Sequence, residues 1–148
     1  MKYKIIILNE ADISDCADLF CKVYASPPWN NPNASKANAE RYFTDCFKNP
    51  GFLGFKYLRG GEFAGFVLGK VSDYFFAPQY ELIEVLVNPA EHGRGIGTRM
   101  LSDAEAELKR RGIAHVFLQT SNKIPAYGFY LKNGYTEVEN TVNMAKAL

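Results

Sequence analysis

The chain has 148 residues, 47% apolar and 22% charged, with a formal net charge of +1. A chain of this length buries roughly 68–70% of its unfolded surface, so one domain over residues 1–148 is expected, with no need of a disulfide or metal. The near-neutral charge excludes a general attraction to nucleic acid or to an anionic membrane. The apolar runs, such as residues 5–8 and 63–68, are too short to span a bilayer.

The N-terminus lacks the long apolar stretch and cleavage site of a signal peptide. Cys16, Cys21 and Cys46 are odd in number and show no C-x-x-C spacing. Neither a disulfide framework nor a metal site is therefore expected, and the compartment expected is the reducing cytoplasm.

Residues 3–8 are rich in isoleucine and read as a strand. Asp12 and Ser14 are capping candidates for a helix in which Cys16, Leu19, Phe20 and Val23 recur at helical spacing. The loop "SPPWNNPN" (26–33) ends it, and a second helix is expected over 35–48, stopped by Asn49-Pro50-Gly51.

The period then shifts towards two. Residues 52–58 and 62–71 flank "RGG" and read as a β-hairpin. Residues 72–80, "SDYFFAPQY", are expected as a loop, and 80–87 as a strand closed by Asn88-Pro89. Met100, Leu101, Ala104 and Leu108 mark one face of a helix over 98–111, with Gly112 as its stop. A strand over 113–120, a short helix over 125–133 and one or two strands after Tyr135 complete the chain. The pattern is α/β of the α+β kind: a mixed, mostly antiparallel sheet with helices packed on it.

The stretch "EHGRGIGTRML" carries glycines at 93, 95 and 97 between a strand and a helix. The G-x-G-x-x-G fingerprint fails, because its third glycine falls on Thr98 or Met100, and no Gly-Lys-Ser/Thr follows for a P-loop. What remains is an anion cradle. Gly95 and Gly97 let backbone approach a ligand and adopt positive φ, and free amides at the helix start point outward, reinforced by the helix dipole. Arg94 and Arg99 add positive charge at its rim.

Together with "AYGFYLKNGY" (126–135), this stretch resembles the GNAT superfamily of N-acetyltransferases. The resemblance covers nearly the whole chain in its order of elements and implies helices on both faces of the sheet. It implies acetyl-CoA as cosubstrate, with R/Q-x-x-G-x-G/A binding the pyrophosphate. On that basis His92, Gly93, Arg94, Gly95, Ile96, Gly97 and Thr98 are cofactor-binding candidates, with His92 standing where relatives carry Arg or Gln. The segment A-x-x-F-Y-x-K-x-G-F/Y lines the pantetheine and thioester in relatives, and matches here at Ala126, Phe129, Tyr130, Lys132, Gly134 and Tyr135. Asn122, four residues before Ala126, departs from the usual spacing of three.

Acetyl transfer to an amine by direct attack needs a base, an oxyanion donor and an acid. Amides near Leu86 and Val87, beside the loop, are the expected donors. The resemblance assigns the proton for the leaving thiolate to Tyr130, with Tyr127 as rival. Glu81 and Glu84 are the candidate bases. Their odd separation puts them on opposite faces of a regular strand, with Glu81 on the side of Val87. Trp29 and Asp73 are expected at the acceptor entrance, and His115 as an ordinary strand residue. The reading is an enzyme acetylating a primary amine of a small molecule or peptide, with no nucleic-acid or membrane partner and with a homodimer compatible. The alternatives are a non-catalytic acyl-CoA-binding module or an acyltransferase using a longer acyl-CoA.

Overall fold

The computed structural model describes residues 2–75 and 77–148. It divides into two compact units, Met1–Leu118 and Gln119–Leu148.

In the first unit, β1 (Tyr3–Ile7) leads through a 3-10 turn (Glu10–Asp12) into α1 (Ile13–Tyr24), followed by α2 (Lys36–Lys48). Asn9 caps the 3-10 turn, and Asp12, at the N-cap position of α1, makes no side-chain cap bond to that helix. The Asn9 side chain accepts from Ala11 N, and the Asp12 carboxylate takes the Asn9 amide at 2.9 Å. Asp12 is buried and also pairs with Lys56 at 2.8 Å, so the expected cap serves as a tether to the sheet. Ser35 caps α2 as its sequence position implies, accepting from Asn38 N.

The chain then runs through β2 (Phe52–Arg59), β3 (Glu62–Tyr74) and β4 (Ala77–Val87) as an antiparallel meander. The segment expected as a loop over 72–80 is mostly strand, since β3 runs on to Tyr74 and β4 begins at Ala77; Phe76 lies outside the described residues. A 3-10 turn (Pro89–Glu91) leads to α3 (Ile96–Arg110), and β5 (His115–Phe117) returns parallel to β4. The sheet order is β1-β2-β3-β4-β5.

One face of the sheet, with Phe66, Leu68 and Leu86, packs against Cys16, Ala17 and Leu19 of α1 and Ala39 and Phe43 of α2. Burying large side chains of this kind contributes about 1.5–3 kcal/mol each. The other face takes α3. Gly65 leaves room for Met100, since a Cβ there would meet Met100 Sδ at 3.1 Å and Leu86 O at 2.5 Å.

β4 is not regular. Leu68 pairs with Glu84 and Gly69 with Leu82, so Ile83 is an extra residue, a β-bulge. Gly69 permits it: a Cβ there would stand 2.1 Å from Glu81 O and 2.6 Å from the Tyr80 ring.

The second unit contains α4 (Pro125–Lys132), begun by Pro125 at its first turn. Gly134, with φ +91°, closes it, and Tyr135 N donates to Tyr130 O. The strands expected after Tyr135 are not formed among the described residues.

Candidate active site

The glycine-rich turn follows β4 and the 3-10 turn Pro89–Glu91. Gly93 and Gly95 take left-handed φ of +79° and +70°, while Gly97 lies within the first turn of α3. The pair with positive φ is therefore Gly93 and Gly95, not Gly95 and Gly97, and α3 starts two residues earlier than Thr98. Gly95 is the helix N-cap and has no side chain to satisfy the first turn. Arg99 N bonds Gly95 O. Among the described residues the amides of Gly93, Arg94, Gly95, Ile96, Gly97 and Thr98 have no acceptor recorded within the chain. A Cβ added at Gly93 or Gly95 would meet nothing within 4 Å. Six unmet donors around open space at the positive end of a fifteen-residue helix suit an oxyanion ligand.

The turn is anchored from below. Asn88 N donates to Ala64 O, and the Asn88 side chain accepts from Lys22 Nζ at 3.3 Å. Glu91 is 6% exposed and pairs with Arg59 at 2.9 Å and Arg94 at 3.4 Å. Neither Glu91 nor Arg59 stands out in the sequence, because their pairing joins positions far apart in the chain. His92 is exposed and donates its amide to Pro89 O. Arg99 lies over the Tyr3 ring at 4.6 Å, so its charge is turned to that aromatic face.

β5 pairs with Gln79, Tyr80 and Glu81 alone. From Leu82 to Val87 the outer edge of β4 has no strand beside it among the described residues. Backbone directions alternate along a strand. Since Asn88 N points to β3, Val87 N–H points to the open edge and Leu86 N–H towards β3.

The bulge changes the geometry of the two glutamates. Glu81 pairs with Lys70 and Glu84 with Leu68, and these partners are two apart on β3. Glu81 and Glu84 thus share the α1–α2 face, correcting the opposite-face expectation. Val87 pairs with Gly65, five residues from Lys70, so Glu81 and Val87 are on opposite faces.

Glu81 lies 3.5 Å from Lys70 in a partly exposed pair. Glu84 is more enclosed, and accepts from Tyr42 Oη at 3.0 Å and Tyr24 Oη at 3.3 Å. Burial raises the Glu84 pKa above the ordinary carboxylate value, while the two phenol hydrogen bonds pull it down. Burial, and then the Glu84 charge, raise the Tyr42 phenol far above its usual range.

Trp29 is 38% exposed and packs on Tyr24 with ring centroids 5.3 Å apart. Trp29, Tyr24, Tyr42 and Glu84 therefore form one connected group. Asp73 does not join it. It is exposed, pairs with Pro78 near the hairpin tip, and lies on the face opposite Lys70 and Glu81. His115 is exposed at the start of β5.

In the second unit, Ala126, Phe129 and Tyr130 lie on α4. The Tyr130 ring packs edge-on against Phe129 at 5.3 Å and Tyr135 at 5.5 Å. Tyr127 Oη donates to Glu137 at 3.3 Å.

The sequence matches the Acetyltransferase (GNAT) family over residues 18–135. The chain belongs to that family. This GNAT chain is 35% identical over 82 residues to a mycothiol acetyltransferase of Catenulispora acidiphila, a match covering 53% of the chain and 26% of that relative. It thus spans about a quarter of the length of that relative.

Among solved structures, an integron cassette protein from the mobile metagenome of V. cholerae superposes with a TM-score of 0.81 at 14% identity, covering 99% of this chain and 93% of the other. An aminoglycoside N-acetyltransferase in complex with CoA gives 0.75 at 15% identity, covering 99% and 96%. An aminoglycoside acetyltransferase from an uncultured soil metagenomic sample, in complex with sisomicin, gives 0.74 at 19% identity with the same coverage. These likenesses establish the GNAT fold: a mixed, mostly antiparallel sheet, with α1–α2 and α3 on its two faces in the first unit. Among the described residues no helix is long and apolar enough to cross a membrane, and no His/Cys/Asp/Glu group is arranged to hold a metal ion.

Proposed function

We propose that the chain is an acetyl-CoA-dependent N-acetyltransferase acting on a primary amine of a small molecule or peptide by direct attack. We read residues 1–148 as a single catalytic domain. The observation that carries this reading is the row of amides at residues 93–98 that have no acceptor among the described residues, placed beyond a strand whose outer edge, among the same residues, has no strand beside it from Leu82 to Val87. Those donors fit a diphosphate, and bound acetyl-CoA would supply the thioester.

Each protein group then has a defined task. The cradle amides hold the diphosphate. Val87 N–H points to the open edge of β4, where it would meet the oxyanion that develops during attack. Glu84 is the base in preference to Glu81. An alkylammonium titrates near ~10.4 and must lose a proton before it attacks. A carboxylate raised by burial is a better match to that task near neutral pH than one paired with a lysine. It would act through water, with Tyr24 and Tyr42 fixing the orientation of its two oxygens. Trp29, resting on Tyr24, would flank the incoming amine. Tyr130 would return a proton to the leaving sulfur, a role given by the match of residues 126–135 to the family pattern. Proton transfer from a phenol near ~10 to a thiolate near ~8.5 is uphill by about 2 kcal/mol, so its contribution is modest.

The test is release of free thiol from acetyl-CoA across a panel of polyamines, aminoglycosides, amino acids and peptide N-termini, with the product identified by mass. A mass gain of one acetyl group on an amine supports the reading. Tight binding of acetyl-CoA with no thiol release from any amine would identify a binding module instead.

A further inference from the structure

Beside the cradle stands a group of charges that diphosphate binding leaves unused. Glu91 is buried, and its two oxygens face different arginines: Oε1 pairs with Arg59 Nε at 2.9 Å and Oε2 with Arg94 Nη1 at 3.4 Å. Arg59 comes from the end of β2 and Arg94 from the cradle itself. One carboxylate therefore holds two guanidiniums together and leaves the trio one positive charge in surplus. The Arg94 side chain is 50% exposed and that of Arg59 26%, so both reach solvent. Among the described residues Glu91 is the only ion-pair partner of either side chain; Arg94 also hydrogen-bonds it, whereas the buried Arg59 Nε makes no well-aligned hydrogen bond. Glu62, across the hairpin from Arg59, is exposed.

A guanidinium fixed through one nitrogen keeps a planar fork for an oxyanion. Two such forks beside an amide cradle make a second anion site adjoining the first. Coenzyme A carries a phosphate monoester on the ribose that also bears its diphosphate, and that monoester is close to doubly charged at neutral pH. We propose that Arg59 and Arg94, held on Glu91, form a subsite for the 3′-phosphate of the coenzyme. The proposal rests on the reading of residues 93–98 as the diphosphate cradle.

The experiment compares CoA with 3′-dephospho-CoA by titration calorimetry on the full chain. The wild type is expected to bind CoA roughly ten-fold or more tightly, the scale of charge-assisted hydrogen bonds to one phosphate. In Arg59→Gln the ratio of the two affinities should fall towards one. Arg94→Gln should also lower it, and that substitution leaves Glu91 paired with Arg59, so it remains informative if Arg59→Gln folds poorly. Equal affinity of the wild type for both compounds would overturn the proposal. So would an Arg59→Gln variant that weakens both compounds by the same factor, since the arginine would then serve the loop and not the monoester. Failure of both compounds to bind would instead strike down the cradle, and this subsite with it.

Discussion

Replacing Gly95 with alanine separates what the fold requires from what the ligand requires. Gly95 has φ +70° and caps α3, and a Cβ there would touch no protein atom within 4 Å. Folding therefore loses only the left-handed backbone preference, about 1–2 kcal/mol. For a chain of this size that lowers the melting temperature by roughly 2–4 °C per kcal/mol. Binding has more to lose. The methyl group would project into the open space around the unmet amides, and each charge-assisted hydrogen bond displaced is worth about 1.5–3 kcal/mol. Losing one or two weakens acetyl-CoA on the order of 10²-fold. The assay pairs calorimetric titration of acetyl-CoA with a thermal melt. A Gly95→Ala variant that melts a few degrees lower and binds acetyl-CoA like the wild type would refute the cradle.

Glu84→Gln should abolish most activity, lowering kcat by about 10²-fold or more, and should also stabilise the protein at neutral pH. The sign follows from the raised pKa of Glu84. Its stabilising contribution is complete below the unfolded value near 4.5 and is lost as pH rises through the higher folded value. Melts at pH 5 and pH 8 check it, with the gain from Glu84→Gln expected to be larger at pH 8. Tyr130→Phe should lower kcat roughly ten-fold at most, with KM for acetyl-CoA nearly unchanged; unchanged kcat removes the phenol from the mechanism. Gly69→Ala should destabilise by about 2 kcal/mol or more, because the new methyl would meet Glu81 O at 2.1 Å and the bulge at Ile83 must yield. Chemical denaturation measures that loss.

Local chemistry made much of this chain legible. Ser35 marks the start of α2, "RGG" the turn between β2 and β3, and Pro125 and Gly134 the ends of α4, each through a backbone rule that acts within a few residues. The glycine-rich turn before α3 is legible because glycine spacing is itself the signal. The placement of Glu81 and Glu84 is not. Counting residues along one strand assumes strict alternation, whereas a bulge is decided by the pairing of two strands. Gly69, a glycine within strand β3, was the one trace of it. The Arg59–Glu91 pair and the Tyr24 and Tyr42 bonds to Glu84 depend on tertiary contacts that no local pattern encodes. Asp73 was placed at the acceptor entrance by assuming a loop, and the longer hairpin carries it to the other face.

The most direct measurement is a nitrogen-15 NMR titration of the chain with acetyl-CoA, following the amides of residues 93–98 and Val87. Large shifts of those signals, saturating together with the binding curve, are the expected result. Saturation of the protein with those amides unmoved would contradict the account.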